Sequence, residues 1–189
     1  MYAELAQWIQ TLALLDKAYD FEVGYKLGNY ISYVFSTNDS STNNLDKPSI
    51  EYEVSLQTYQ LIKDGRDLGD LRYCEVSFKN ITHYSFDITG DGNATKVFAT
   101  VLKIIRHHLE QNHKIAILSF SGNSASRVKL YESFVANVHK YLPGWQPLME
   151  EITTNLSGTK KIGYDVQLYN PNRLGRYKNL FKPTPKTTV

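Results

Sequence analysis

The chain has a single cysteine, Cys74, so no disulfide can close within it and a zinc centre built on several thiolates is excluded. It has no apolar run near the roughly 18 residues that a membrane-crossing helix needs, so no contact with a membrane is expected. Charge of one sign is also scarce. Lys and Arg total 21 against 19 Asp and Glu, a net charge of +2, too small for a whole-chain field that would gather nucleic acid or a lipid surface. The opening MYAELAQWIQ has no basic stretch ahead of an apolar one, which predicts no secretory leader and a cytoplasmic location. Several catalytic signatures are missing as well. There is no G-x-x-x-x-G-K-[ST] phosphate loop and no G-x-S-x-G nucleophile elbow. The third glycine of a dinucleotide fingerprint is replaced by Thr95, which excludes that loop too.

What is present describes an ordinary folded chain. The 189 residues are 42% hydrophobic and 21% charged, enough for one globular domain, placed at residues 1–170. Tyrosine is abundant at 14 copies and aromatics reach 13%, which favours sheets and ring-lined clefts. Residues 171–189 hold Arg173, Arg176, Lys178, Lys182 and Lys186 and no acid. They read as a basic C-terminal tail, either simply solvated or an arm for an acidic partner.

Periodicity supplies the elements. Leu5, Trp8, Ile9, Leu12 and Leu15 recur at three- and four-residue spacing and predict a helix over residues 2–17. Aromatic and β-branched runs over 21–27 and 30–36, split by Gly28-Asn29, predict a hairpin. The polar tract 37–48 predicts a loop, 50–59 a strand, and Gly65 with Gly69 a turn-rich stretch. Strands are expected over 72–78 and 83–88, joined by a turn at Lys79-Asn80. A long helix opens at Ala94. Its apolar positions Val97, Phe98, Val101, Leu102, Ile105 and Leu109 fit a 3.6-residue period, and its neighbours His107, His108 and His113 are expected in solvent. The run IAILSF over 115–120 predicts a strand buried on both faces. A helix is expected from about Ser124 to Val138, ended by Pro143-Gly144, and a last strand over 163–169 pairs with one around 149–154.

The most informative segment is strand, glycine turn, helix: HYSFDI, TGDGN, ATKVFATVLKIIRHHL. Gly90 and Gly92 permit a sharp turn and close approach of a ligand. The helix that follows directs its free N–H groups and positive dipole end at the turn, where Lys96 adds a charge. That arrangement suits an anion, phosphate above all. Asp87, Thr89 and Asp91 also mimic the first ligands of a calcium loop, but the twelfth position, where a bidentate glutamate belongs, is Phe98. No metal is expected.

The order strand, G-x-G turn, helix, buried strand, then a helix bearing Leu130-Tyr131 resembles the acetyl-CoA-binding half of the GNAT N-acetyltransferase family over residues 72–140. That family's pyrophosphate motif, Q/R-x-x-G-x-G/A, aligns with Asp87, Gly90 and Gly92. Its N-x-x-A-x-x-L-Y aligns with Asn123, offset by one residue, and with Leu130 and Tyr131. TGDGNATKVF followed by SRVKLYESF also resembles small GNAT-like proteins encoded by bacteriophages. The resemblance implies an α/β (α+β) fold, with a central mixed, largely antiparallel sheet flanked by helices in a single domain. It implies acetyl-CoA as cofactor, held by Ile88, Thr89, Gly90, Asp91, Gly92, Asn93, Ala94, Lys96, Asn123 and Arg127. Tyr131 would be the general acid for the leaving thiolate and His83 the base. The partners would be a CoA thioester and an amine acceptor. Asp87 stands where the family has glutamine or arginine, and the family's Gly-Phe after the tyrosine is absent. Those departures favour an alternative: a GNAT-like phage protein without catalysis, a virion component or a binder of a host protein, located in the host cytoplasm or the virion.

Overall fold

The computed structural model describes residues 17–37, 49–83, 94–122, 134–135, 137–156 and 159–181. The chain is a mixed α and β protein. Its strands are β1 (Glu22–Leu27), β2 (Tyr30–Ser36), β3 (Glu51–Lys63), β4 (Arg66–Asn80), β5 (Ile115–Gly122), β6 (Gln146–Leu156) and β7 (Thr159–Tyr169). They form one seven-stranded sheet in the order β1-β2-β3-β4-β5-β7-β6. The helices are α1 (Ala94–Gln111), α2 (Val138–Tyr141) and α3 (Pro171–Leu174), followed by a 3-10 segment, Gly175–Phe181. Of the expected flanking helices, only α1 among the described residues exceeds a single turn. The predicted helix over 2–17 and the body of the loop over 37–48 lie outside the described residues.

Contacts divide the chain into two compact units. One comprises Met1–Gln57 and Val76–Asn112; the other comprises Thr58–Glu75 and His113–Val189. In the first, Gly28 turns the hairpin with φ +57°, and Leu27 pairs with Tyr30 directly across it. The register then shifts between Val23 and Tyr25, a bulge at Gly24 that lets β1 twist at the sheet edge. Strand β2 runs antiparallel to β3, with Phe35 opposite Tyr52 and Tyr33 opposite Val54. The alternation of β2 and β3 therefore puts Ile31, Tyr33, Phe35, Tyr52, Val54 and Leu56 on one face, and all six are buried.

The aromatic richness has a structural use on this face. Tyr19, Phe35, Tyr52 and Phe78 stack in sequence, with ring centroids 6.1, 5.3 and 5.2 Å apart. Cross-strand ring pairs of this kind add roughly 0.2–1 kcal/mol each beyond burial. Helix α1 covers the same face. Val97, Leu102, Ile104, Ile105 and Leu109 are buried, each contributing about 1.5–3 kcal/mol. One residue departs from expectation: His108 is 6% exposed, not solvated, because it stands three and four positions after Ile105 and Ile104 and so prolongs their buried stripe.

The second unit contains β5, whose residues from Ile115 to Phe120 are all buried, as its continuous apolar run predicts. Strands β6 and β7 form a long hairpin in which Met149 pairs with Val166 and Thr154 with Lys161. Leu61, Leu68, Ala116, Ile117, Tyr169, Leu174 and Phe181 make up its core cluster. Residues 171–181, the first part of the basic segment, are thus folded against this core. Asn170 accepts hydrogen bonds from the backbone N–H of Asn172 and Arg173 at 3.0 and 3.2 Å, opening α3. Arg173 donates to the Ile115 carbonyl at 2.9 Å and lies 5.5 Å from the Trp145 ring centre.

Two strand boundaries differ from the periodicity. Strand β3 continues to Lys63 and turns at Asp64-Gly65, both with positive φ, into β4. Strand β4 then runs unbroken to Asn80 and absorbs Gly69 at φ +71°. Lys79 and Asn80 are strand residues, and the turn falls at residues 81–83.

Candidate functional site

Helix α1 begins at Ala94, directly after the Gly90-Asp91-Gly92-Asn93 turn read from the sequence. One flank of it is tied to the chain that enters β1. The hydroxyl of Thr100 donates to the Lys96 carbonyl at 2.8 Å and accepts from the Tyr19 backbone N–H at 2.8 Å. One turn away the Lys96 ammonium lies 4.0 Å from the centre of the Tyr19 ring, and Lys103 lies 6.0 Å from that of Phe21. His107 meets Phe21 edge-on at 5.6 Å. Lys96, Thr100, Lys103 and His107 recur at helical spacing, so one stripe of α1 holds residues 19–21 in place. The first turn of α1 is thereby anchored, and a cation is fixed in it.

Of the residues assigned to acetyl-CoA or catalysis, His83, Lys96 and the backbone of Ala94 are described. Ile88, Thr89, Gly90, Asp91, Gly92, Asn93, Asn123, Arg127 and Tyr131 lie outside the described residues. His83 is exposed and sits in the turn after β4 rather than in a strand. Its backbone N–H donates to Asn80 Oδ1 at 3.0 Å. Asn80 is fully buried, and its Nδ2 has no hydrogen-bond partner among the described residues.

Cysteine chemistry is closed off, since burial pushes the Cys74 thiol up to about 12, leaving no thiolate near neutrality. Among the described residues no three His, Cys, Asp or Glu side chains come together as a metal site, and no helix is long and apolar enough to cross a membrane.

The sequence reading did not anticipate a cavity of about 350 Å³ within the first unit. Its construction follows from the register. Glu22 pairs with Val34 across β1 and β2, and Ser36 pairs with Glu51 across β2 and β3. Val34 and Ser36 share one face of β2, so all four side chains lie on that face, opposite the α1 face. Asp20, Phe21, Phe35 and Ile81 complete the lining. The wall is braced by two hydrogen bonds of Glu51's backbone: its carbonyl accepts from Ile81 N–H at 2.9 Å, and its N–H donates to Thr82 Oγ1 at 2.8 Å. Ser36 is hydrogen-bonded to Ser49. Cavities of this size accommodate small molecules.

No family model matches the chain, and no curated protein or solved structure matches it.

Proposed function

We propose that the protein is an N-acyltransferase of the GNAT type that uses acetyl-CoA to acylate an amine. The observation that carries this reading is the path of the chain from β4 to β5. These strands are neighbours in the sheet, yet the 18-residue helix α1 stands between them in sequence. At about 1.5 Å per residue, such a helix carries the chain back along the sheet. Strand β5 accordingly starts beside Arg72, whose backbone N–H donates to the Lys114 carbonyl at 2.8 Å, well upstream of the end of β4. A helix entering from a glycine turn at such a crossover is the arrangement that receives a pyrophosphate, and Lys96 supplies a cation in its first turn.

In this reading residues 88–94 hold the pyrophosphate, helped by Lys96, Asn123 and Arg127. The acceptor, as its ammonium, gives up a proton to His83. The free amine nitrogen attacks the thioester carbonyl; the new C–N bond forms as the C–S bond breaks, Tyr131 protonates the departing thiolate, and the second proton of the nitrogen, released as the amide forms, restores the Tyr131 phenol. Incubation of the protein with acetyl-CoA and a panel of primary amines, read as release of free CoA thiol, tests the reaction. Amine-dependent thiol release that falls at least tenfold in Tyr131→Phe supports it, and release no faster than without protein overturns it. The second reading, a GNAT-like phage protein without catalysis, is favoured by one specific observation: Asp87 puts a carboxylate where the motif has glutamine or arginine. Such a protein would bind a host or virion partner instead.

A further inference from the structure

We infer that the second unit binds single-stranded nucleic acid, with Arg176, Lys178, Lys182 and Lys186 on the phosphates and Tyr177 against a base. The near-neutral charge of the whole chain hides an opposition between its units. Lys and Arg number 14 against 8 acids in the second unit, and 7 against 11 in the first. Salt screens charges beyond about 10 Å, so a partner meets the local charge rather than the sum. The excess gathers in residues 171–189, which hold five cations and no Asp or Glu.

The fold decides which of these cations a partner meets. Leu174, Tyr177 and Phe181 pack on the core of the second unit, and Arg176 and Lys178 stand exposed between them. Arg173 is spent inside, on the Ile115 carbonyl and the Trp145 ring. Lys63 of β3 stands beside this segment, its ammonium 5.7 Å from the centre of the Phe181 ring. Lys182 follows Phe181 directly in the chain. Among the described residues no acid is paired with Lys63, Arg176 or Lys178. Two acids of the β3–β4 hairpin are engaged elsewhere, Asp70 by Lys114 at 2.9 Å and Asp67 by Gln60 at 2.6 Å.

The ring separates nucleic acid from an acidic protein. The Arg176 guanidinium lies 4.8 Å from the centre of the Tyr177 ring and donates to the Tyr177 hydroxyl at 2.7 Å. Tyr177 is half-buried, so it is held in one orientation at the surface, among cations, with little left to order on binding. An acidic peptide would use the cations alone. A single strand uses both, its phosphates on the cations and an unpaired base on the ring, whereas a duplex keeps its bases stacked on one another. This binding goes beyond the transferase reading and does not depend on it.

The test is fluorescence anisotropy of the full-length protein with a labelled oligothymidylate of about 20 nucleotides, beside a duplex of equal length and polyglutamate as competitor. An oligouridylate of the same length tells RNA from DNA as the source of the strand, and binding of either supports the inference. The logarithm of the binding constant should fall against that of the salt concentration with a slope of about −3, as for four or five neutralised phosphates. The variant combining Arg176→Gln, Lys178→Gln, Lys182→Gln and Lys186→Gln should bind at least tenfold more weakly, with a slope of about −1; an unchanged melting temperature verifies its folding. Tyr177→Leu, which keeps an apolar side chain against the core, should weaken single-strand binding about tenfold and leave the slope unchanged. No single-strand binding at about 50 mM salt, or binding unaltered in either variant, overturns the inference. Duplex or polyglutamate bound as tightly as the single strand also overturns it, polyglutamate in favour of an acidic protein.

Discussion

The ammonium of Lys96 lies 4.0 Å from the centre of the Tyr19 ring, linking the first turn of α1 to the chain that enters β1. Tyr19 is itself held from both sides, by its backbone bond to Thr100 and by stacking on Phe35 at 6.1 Å. Lys96→Met retains the stem and removes the charge. Loss of the cation–ring attraction should lower stability by about 0.5–2 kcal/mol in urea unfolding. If the pyrophosphate is held at this turn, acetyl-CoA affinity falls several-fold in the same variant. Stability within error of wild type would show that the contact contributes nothing.

The stacked rings give a larger effect. Tyr52 is fully buried between Phe35 and Phe78, at 5.3 and 5.2 Å. Tyr52→Ala should cost about 3–5 kcal/mol through lost burial and an unfilled cavity, read as the shift of a urea midpoint. A cost below about 1 kcal/mol would mean that the face repacks easily.

His108 sets a pH dependence. Burial, then His107 and Lys26, pull its pKa from 6.5 down to about 4, and its Nε2 is buried without a hydrogen-bond partner among the described residues. Tyr33, 6.4 Å away, and Asn112, whose Nδ2 donates to the His108 carbonyl at 2.8 Å, stand beside it. The folded state therefore prefers neutral histidine, while the unfolded chain takes up a proton below about 6.5. This group's contribution is fully present above pH 6.5 and is lost as pH falls toward 4, an effect of roughly 3 kcal/mol. His108→Leu should remove that part of the acid sensitivity and leave stability at pH 7.5 unchanged or raised. Urea midpoints at pH 7.5, 5.5 and 4.5 check it; equal slopes in variant and wild type would assign the acid sensitivity elsewhere.

The hairpins and the long helix were legible in the sequence because their signals are local. Gly28-Asn29 marks a turn by its own chemistry, the stripe from Val97 to Leu109 by its period, and Ile115 to Phe120 by unbroken apolarity. Strand β4 was expected to end at Phe78 because Lys79-Asn80 looks like a turn, whereas Lys79 pairs with Glu53 and Asn80 is buried; the strand expected over 83–88 lies, but for His83, outside the described residues. His108 was misplaced by its polarity, although Ile104 and Ile105 already marked its face. The acidic cavity was invisible for a different reason. Glu51 is distant in sequence from Asp20 and Glu22 and joins them only through the β1-β2-β3 register, which one residue of slip would undo. Of the residues proposed to hold acetyl-CoA, the structure describes Lys96 and the start of α1, while residues 88–93, Asn123 and Arg127 lie outside the described residues, as does Tyr131.

The basic segment is also part of the fold. Leu174 is 1% exposed and Phe181 6%, both in the core of the second unit. Leu174→Ala and Phe181→Ala should each cost about 2–5 kcal/mol in thermal or urea unfolding. Unchanged stability in both would show that residues 171–181 are a solvated tail after all.

The most direct measurement is calorimetric titration of the protein with acetyl-CoA, beside Gly92→Val. The account predicts micromolar binding to the wild-type protein that is lost in Gly92→Val at an unchanged melting temperature, since the proposed reading needs a glycine there for the ligand's approach. No binding at millimolar acetyl-CoA, or equal binding by both proteins, would contradict it.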